Sequence, residues 1–323
     1  MNILLISSGF GGIYDYFDHS IKKAFETYQH KCSLFNVYKG IHGLIKCVEE
    51  TKPDLVLTLA GFLLPKEMND YLSQHHIKQA VWFTEDPFYM DQTLKLYDRY
   101  DYIFTIDRNA YHKYLDKGHP SVHLLPLATN TNVFFEDSTK DFEFDINIVG
   151  YPYPERLDLV MDLLEKTPYS VLVVGKKWVE LLGDRLEHPQ LTVIDHWITS
   201  REAARYYNTT KICLNSHRPY DLKENQNAIG LMNHSINNRT FDIAACGAFQ
   251  LISNMEDLPR YFTKNKDIVA FDSKNECLQL IEYYIKEAHQ RQEIAQKAKQ
   301  KVLNGHTFSH RIQTISHVLK QNI

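Results

Sequence analysis

The chain has 323 residues, 44% hydrophobic and 24% charged, a globular composition long enough for two cores of ordinary size. Its net charge of −4 lacks the basic footprint of a general nucleic-acid binder. No segment holds the roughly 20 consecutive apolar residues of a membrane span, and the opening MNILLISSGF has no basic stretch, so it reads as a buried first strand rather than a signal peptide.

Short apolar runs alternate with helical patterns along the first half. Strands are expected at residues 2–7, 32–37, 54–60, 79–84, 102–106 and 123–128, with helices near 15–28, 42–51, 66–75, 91–98 and 109–116. Continuous apolar strands separated by helices imply a parallel sheet covered on both faces. Residues 128–144, ATNTNVFFEDSTKDFEF, are polar and acidic with no period, and read as a linker. The alternation restarts with strands at 145–150, 170–175, 191–195, 211–216, 249–253 and 267–272, and ends in a charged helical tail. The reading is α/β, with a Rossmann-like doubly wound domain at 1–130 and a second at 144–305; the stretch 306–323 could return to the first. Five cysteines, Cys32, Cys47, Cys213, Cys246 and Cys277, form no CxxC pair and read as reduced core residues of a cytoplasmic protein.

In open parallel sheets ligands bind at the carboxyl ends of the strands, so the loops there are the places to search. After the first strand, SSGFGGIYDYF offers glycines, Gly11 among them, that allow close backbone approach beside a helix start. The G-x-G-x-x-G spacing is absent and no acid closes the second strand, which counts against a nicotinamide enzyme. After the fourth strand, FTEDPFYM places Glu85 and Asp86 before a proline. An acid walled by aromatics there could serve as a general base, with Asp86 preferred because it abuts the proline turn; the alternative is a helix cap.

In the second half, Arg156 falls in the first turn of a helix, where it opposes the macrodipole unless it reaches an anion such as phosphate. Lys176 follows the next strand directly, and His196 and Trp197 follow the one after, as a base-stacking surface or as helix-interface filling. The long polar excursion after KICLNS carries His217 and His234. It leads into INNRTFDIAACGAFQLIS, residues 236–253, in which Asn237 or Asn238 caps a helix and Arg239 and Asp242 share a face. Asn238, Arg239 and the free N–H groups would contact a diphosphate and Asp242 a ribose; the alternative is a local ion pair. His306 and His310 have a metal-like spacing, but no third ligand accompanies them, so no metal is assigned.

DINIVGYPYPERLDLV, VLVVGKKW, KICLNSH, NNRTFDIAACGAF and HTFSHRI, in this order, resemble the CgeB-like spore-maturation glycosyltransferases of the GT-B superfamily. The resemblance covers most of the second half, and the first half mainly through its β/α pattern and WFTEDPF. It implies a GT-B fold of two Rossmann-like domains facing a cleft. The nucleotide-diphosphate sugar would be a donor substrate on the second domain, and a saccharide or other hydroxyl acceptor would lie against the first. No cofactor and no metal are implied. The family's ribose-binding acid falls on Asp242, its phosphate-binding cations on Arg156 and Arg239, and its base-holding strand end near His196 and Trp197. Where many retaining relatives carry a second acid at the donor sugar, this chain has His234. A non-catalytic nucleotide- or sugar-binding protein on the same fold is the alternative. A DNA glucosyltransferase is disfavoured by the acidic balance.

Overall fold

In a computed structural model, which describes residues 1–139 and 141–321, the chain divides into two compact units. The first is built from Met1–Leu127, Pro219–Ser235 and the chain from Phe308 onward, the second from Ala128–Arg218 and Ile236–Thr307.

The first unit alternates β1 (Asn2–Ile6), α1 (Ile13–Thr27), β2 (Lys31–Phe35), α2 (Gly40–Thr51), β3 (Leu55–Leu59), α3 (Lys66–Gln74), β4 (Lys78–Phe83), α4 (Met90–Thr93), β5 (Tyr102–Thr105), α5 (Arg108–Asp116) and β6 (Val122–Leu124). All six strands run parallel in the order β2-β1-β3-β4-β5-β6. Every residue of β3, LVLTL, is buried, as a strand covered on both faces requires. Leu4, Ile6, Phe35 and Val56 pack against Met68 and Leu72 of α3, while Val81, Phe83 and Ile103 pack against Ala110 and Tyr114 of α5. The helix expected at 91–98 is shorter: α4 is followed by tight turns, with the Leu96 N–H on the Thr93 carbonyl at 3.0 Å. Those turns let Leu96 reach the same core as Met90, Leu94 and Tyr97, whose i, i+4, i+7 spacing alone would fit one helix face.

The second unit repeats the pattern with β7 (Phe144–Val149), α6 (Pro154–Lys166), β8 (Val171–Val174), α7 (Trp178–Leu182), β9 (Leu191–Ile194), α8 (Ser200–Asn208), β10 (Thr210–Asn215), α9 (Asn238–Ala245), β11 (Gln250–Ser253), β12 (Val269–Phe271), α10 (Lys274–Lys286) and α11 (Ala288–Gly305). Its six parallel strands are ordered β12-β11-β10-β7-β8-β9. The chain builds outward from β7 through β8 and β9, then crosses back to lay β10 on the other side of β7. The order therefore reverses between β7 and β10, the kind of place where open parallel sheets bind ligands beyond the carboxyl ends of their strands. In the first sheet the reversal lies between β1 and β3.

Two stretches differ from the sequence reading. Residues 128–139 and 141–143 are part of the second unit rather than a linker. Phe134 is buried with its ring 6.0 Å from Tyr207, and Glu136 accepts from Gln296 at 2.8 Å and Lys299 at 2.6 Å. Pro219–Ser235, read as an excursion within the second domain, belongs to the first unit. Its Gln226 N–H donates to the Phe88 carbonyl at 2.9 Å, and the His234 and Ser235 N–H groups donate to Asp107 Oδ2 at 2.9 and 3.1 Å.

The last helix, α12 (Phe308–Gln321), packs along α1 in the first unit, with Phe308 6.0 and 6.1 Å from the rings of Tyr16 and Phe17. Buried Arg311 fastens it by donating from Nε to the Pro126 carbonyl at 2.8 Å. Residues 322 and 323 of the stretch expected there lie outside the described residues. No helix among the described residues is long and apolar enough to cross a membrane.

Candidate functional site

In the second unit the polar chemistry gathers where the strand order reverses. β7 ends at Val149, and Gly150 follows at φ 139°; β8 ends at Val174, and Gly175 follows at φ 142°. A Cβ on Gly175 would fall 2.4 Å from the Gly150 carbonyl oxygen, so the two strand tips touch backbone to backbone and only glycine fits. Trp178 Nε1 donates to that carbonyl at 2.9 Å and holds the tip in place.

Two arginines close on this tip from different helices. Arg156 stands in the first turn of α6, after Pro154 has set the helix entry. It is buried, with Nε donating to the Ser216 carbonyl at 3.1 Å, Nη2 donating to the same oxygen, Nη1 donating to the Tyr151 carbonyl at 2.8 Å, and the guanidinium 4.9 Å over the Tyr153 ring. Burial, and then the charge of Arg239, push its pKa down to about 9. Arg239 stands in the first turn of α9, with Nη1 3.4 Å from Asn215 Oδ1. Its Nη2 and Arg156 Nη1 lie 2.8 and 2.7 Å from the point a Gly150 Cβ would occupy. Neither guanidinium forms an ion pair among the described residues. Two like charges held together without a counter-charge favour an anion carrying more than one negative charge, and the α9 N-terminus adds to that field.

The start of α9 is docked on the end of β10. Asn237 caps the helix, accepting the Thr240 N–H at 3.1 Å, and exchanges side-chain hydrogen bonds with Asn215 at 2.9 and 3.2 Å. His217 is almost fully buried, its ring set between the Asn237 N–H and Ser253. Burial, with Arg156 and Arg239 next, pushes its pKa down to about 3, so the ring is neutral. His217, expected as a donor contact, therefore spends both ring nitrogens inside the protein. Asp242 is 2% exposed and accepts from Asn238 Nδ2 at 2.8 Å, one turn back, rather than pairing with Arg239. Lys176 is exposed beyond β8. His196 and Trp197 are exposed beyond β9, Trp197 by 52%, so the indole does not fill a helix interface.

In the first unit the corresponding edge is aromatic. Gly11 is exposed in the loop after β1. Phe10, 39% exposed, lies 5.6 Å from Tyr14 and 6.4 Å from Phe62, and Phe62 lies 5.5 Å from Tyr89. Glu85, half-buried after β4, accepts from the Tyr14 hydroxyl at 2.7 Å. Asp86, the acid preferred from sequence, points the other way. It is wholly buried, accepting from Thr105 Oγ1 at 2.6 Å and the Tyr114 hydroxyl at 3.0 Å, and burial pushes its pKa up to about 7. No acceptor reaches a group so enclosed, which corrects that preference and leaves Glu85 as the accessible acid of the pair. His234 belongs to the first unit, with Arg108 Nη2 and Asn109 Nδ2 each 3.2 Å from a ring nitrogen. Among the described residues no three His, Cys, Asp or Glu side chains gather as a metal site. The His306 ring stacks on Phe241 at 5.1 Å in the second unit, and His310 lies on α12 in the first.

Sequence reasoning missed Asn215, Asn237 as the partner of Asn215, and Tyr14 as the partner of Glu85. Asn215 did leave a signal: an amide ending the apolar run KICLN of a buried strand needs hydrogen-bond partners.

Comparison with known proteins agrees with this layout. Residues 133–317 match the family described as glycosyl transferase-like. The spore protein CgeB of Bacillus subtilis (strain 168) is 35% identical over 310 residues, covering 95% of each chain. An α-glucosyltransferase solved with UDP and a DNA 13-mer superposes with a TM-score of 0.73 at 14% identity, over 98% of this chain and 99% of that one. Sucrose-phosphate synthase from Thermosynechococcus elongatus gives 0.70 at 12% identity, over 99% and 98%. Anabaena HepE in complex with UDP and glucose gives 0.69 at 9% identity, over 99% and 100%. At these identities the structures speak for the fold. The family match and the CgeB relative speak for membership, and the chain belongs to the CgeB-like glycosyltransferases, on a GT-B fold.

Proposed function

We propose that this glycosyltransferase moves a sugar, of hexose type, from a nucleotide-diphosphate sugar to an acceptor hydroxyl, in the synthesis of a polysaccharide or glycoconjugate. The observation that carries the reading is the convergence of Arg156 and Arg239 on Gly150, at the point where the second sheet reverses its strand order. In the reaction the bond from the sugar's anomeric carbon to the diphosphate oxygen breaks. A bond from the acceptor oxygen to that carbon forms, and the nucleoside diphosphate leaves with the electron pair. The two guanidiniums and the first turn of α9 stabilise the charge on the leaving group, the role a metal ion fills in other transferases. The donor proposal includes Asn238 and Lys176 at the phosphates, Asp242 toward the ribose, and Trp197 with His196 against the base.

On the acceptor side Glu85 takes the hydroxyl proton, oriented by the Tyr14 hydroxyl. Exposed Phe10, with half-buried Phe62 and Tyr89 beside it, suits the apolar face of a sugar ring, and the group with Glu85 carries an acid and no cation, which favours a neutral saccharide over nucleic acid. A relative described as a spore protein makes spore material part of the proposal, and five free cysteines are in keeping with a cytoplasmic site of action.

UDP in the names of two structural neighbours makes UDP-sugars the first donors to try. Incubation of UDP-glucose and UDP-N-acetylglucosamine with the protein and neutral saccharides, with and without EDTA, tests the reading. Transfer that survives EDTA supports it. Nucleotide binding with neither transfer nor donor hydrolysis across a donor panel would leave a binding protein on the same fold.

A further inference from the structure

Residues 215–217, at the end of β10, hold three parts of the proposed donor site at once. Asn215 Oδ1 lies 3.4 Å from Arg239 Nη1. The Ser216 carbonyl accepts from Arg156 Nε at 3.1 Å. His217 Nε2 accepts the backbone N–H of Asn237, the cap of α9, at 3.2 Å. A backbone amide can only donate, so Nε2 carries no proton and the ring proton sits on Nδ1. Nδ1 lies 2.8 Å from Ser253 Oγ at the end of β11, and that oxygen also accepts the His217 backbone N–H at 3.0 Å. The imidazole is thus a fixed spacer between the ends of two adjacent strands and the first turn of the helix that carries Arg239.

We infer that His217 is a positioning residue for the diphosphate: it registers the start of α9 against β10 so that Arg239 and Arg156 address the same pair of phosphates. The inference rests on the donor reading above and assigns His217 no contact with the ligand. Its neutrality fits the role. A charged ring beside two arginines would repel them and would present two N–H donors, one of them facing the N–H of Asn237. Serine or alanine would leave a gap at this place, and leucine would fill the volume without accepting the helix N–H.

The test compares UDP with UMP, which lacks the second phosphate, by calorimetry on wild type, His217→Leu and His217→Gln, with thermal melts alongside. Glutamine can carry an acceptor oxygen to the place of Nε2. The expected result is a loss of at least tenfold in UDP affinity in His217→Leu, a change within about twofold for UMP, and recovery of most of the UDP affinity in His217→Gln. A purely structural residue would lower the melting temperature and leave the UDP-to-UMP ratio at its wild-type value, and that result in a folded His217→Leu overturns the inference. Should His217→Leu not fold, Ser253→Ala, which removes the other anchor of the ring, decides in its place: a fall in the ratio supports the inference and an unchanged ratio overturns it. A wild-type protein that binds no nucleoside diphosphate overturns the donor reading and this inference together.

Discussion

Arg156 Nη1 and Arg239 Nη2 stand 2.7 and 2.8 Å from the point where a side chain on Gly150 would begin, so two helices deliver their cations to one strand tip. The positions are not equivalent. Arg156 is locked by the Ser216 and Tyr151 carbonyls, whereas Arg239 is partly exposed and, among the described residues, holds a long contact to Asn215. Arg239→Ala should therefore weaken UDP binding about 10- to 100-fold, the worth of one or two charge-assisted hydrogen bonds, with little change in melting temperature. Arg156→Ala should weaken binding similarly and also destabilise the fold, because it leaves the buried Ser216 carbonyl without its donor. Calorimetry and a melt on each variant separate the effects.

Gly150→Ala should abolish diphosphate binding. Its φ of 139° is open to glycine almost alone, and the added methyl would occupy the space where the guanidiniums meet. The neighbouring Gly175→Ala, whose Cβ would collide with backbone, should fail to fold. A Gly150→Ala protein with wild-type UDP affinity would show that the phosphates lie elsewhere.

Glu85→Gln should lower the transfer rate by about 10²- to 10⁴-fold, the usual worth of a general base, with a smaller loss for Tyr14→Phe, which removes only the orienting hydroxyl. Steady-state transfer kinetics on the two variants check this. Equal activity in Glu85→Gln and wild type would remove Glu85 from the chemistry.

Asp86 leaves a signature in stability rather than in turnover. Burial, opposed by the Thr105, Tyr114 and Thr93 hydrogen bonds and aided by Asp107, raises its pKa from 3.8 to about 7. Its contribution is full below pH about 4 and is lost as pH rises through about 7, amounting to roughly 2–4 kcal/mol. Asp18, also raised to about 7, acts in the same sense, while His217, lowered to about 3, acts oppositely as pH falls below about 6.5. The difference between wild type and Asp86→Asn isolates the one group. Denaturant melts should show the variant gaining on wild type between pH 4 and pH 8, and a constant difference would mean that Asp86 stays ionised throughout.

Both sheets were legible in the chain because strands buried on both faces read as unbroken apolar runs. Arg156 stood out because a cation in a first helical turn needs a reason, and the partners the structure shows for it are the Ser216 and Tyr151 carbonyls. The choice between Glu85 and Asp86 was not legible: adjacent residues in a turn point to opposite sides, and only packing shows that Asp86 faces Thr105 and Tyr114 while Glu85 faces Tyr14. The place of 219–235 was hidden for another reason. It is held by Asp91, Asp107 and backbone groups, and such anchors leave no periodic trace. His217 looked like a ligand contact because nothing in a sequence tells a buried imidazole from an exposed one.

The most direct measurement is calorimetric titration of UDP, GDP, ADP, CDP and dTDP into wild type and Arg239→Ala. The account predicts that one diphosphate binds clearly more tightly than the rest and that its affinity falls at least tenfold in the variant. Absence of binding by any of the five, or binding untouched by the substitution, would contradict the assignment of the donor site to the β7–β10 switch point.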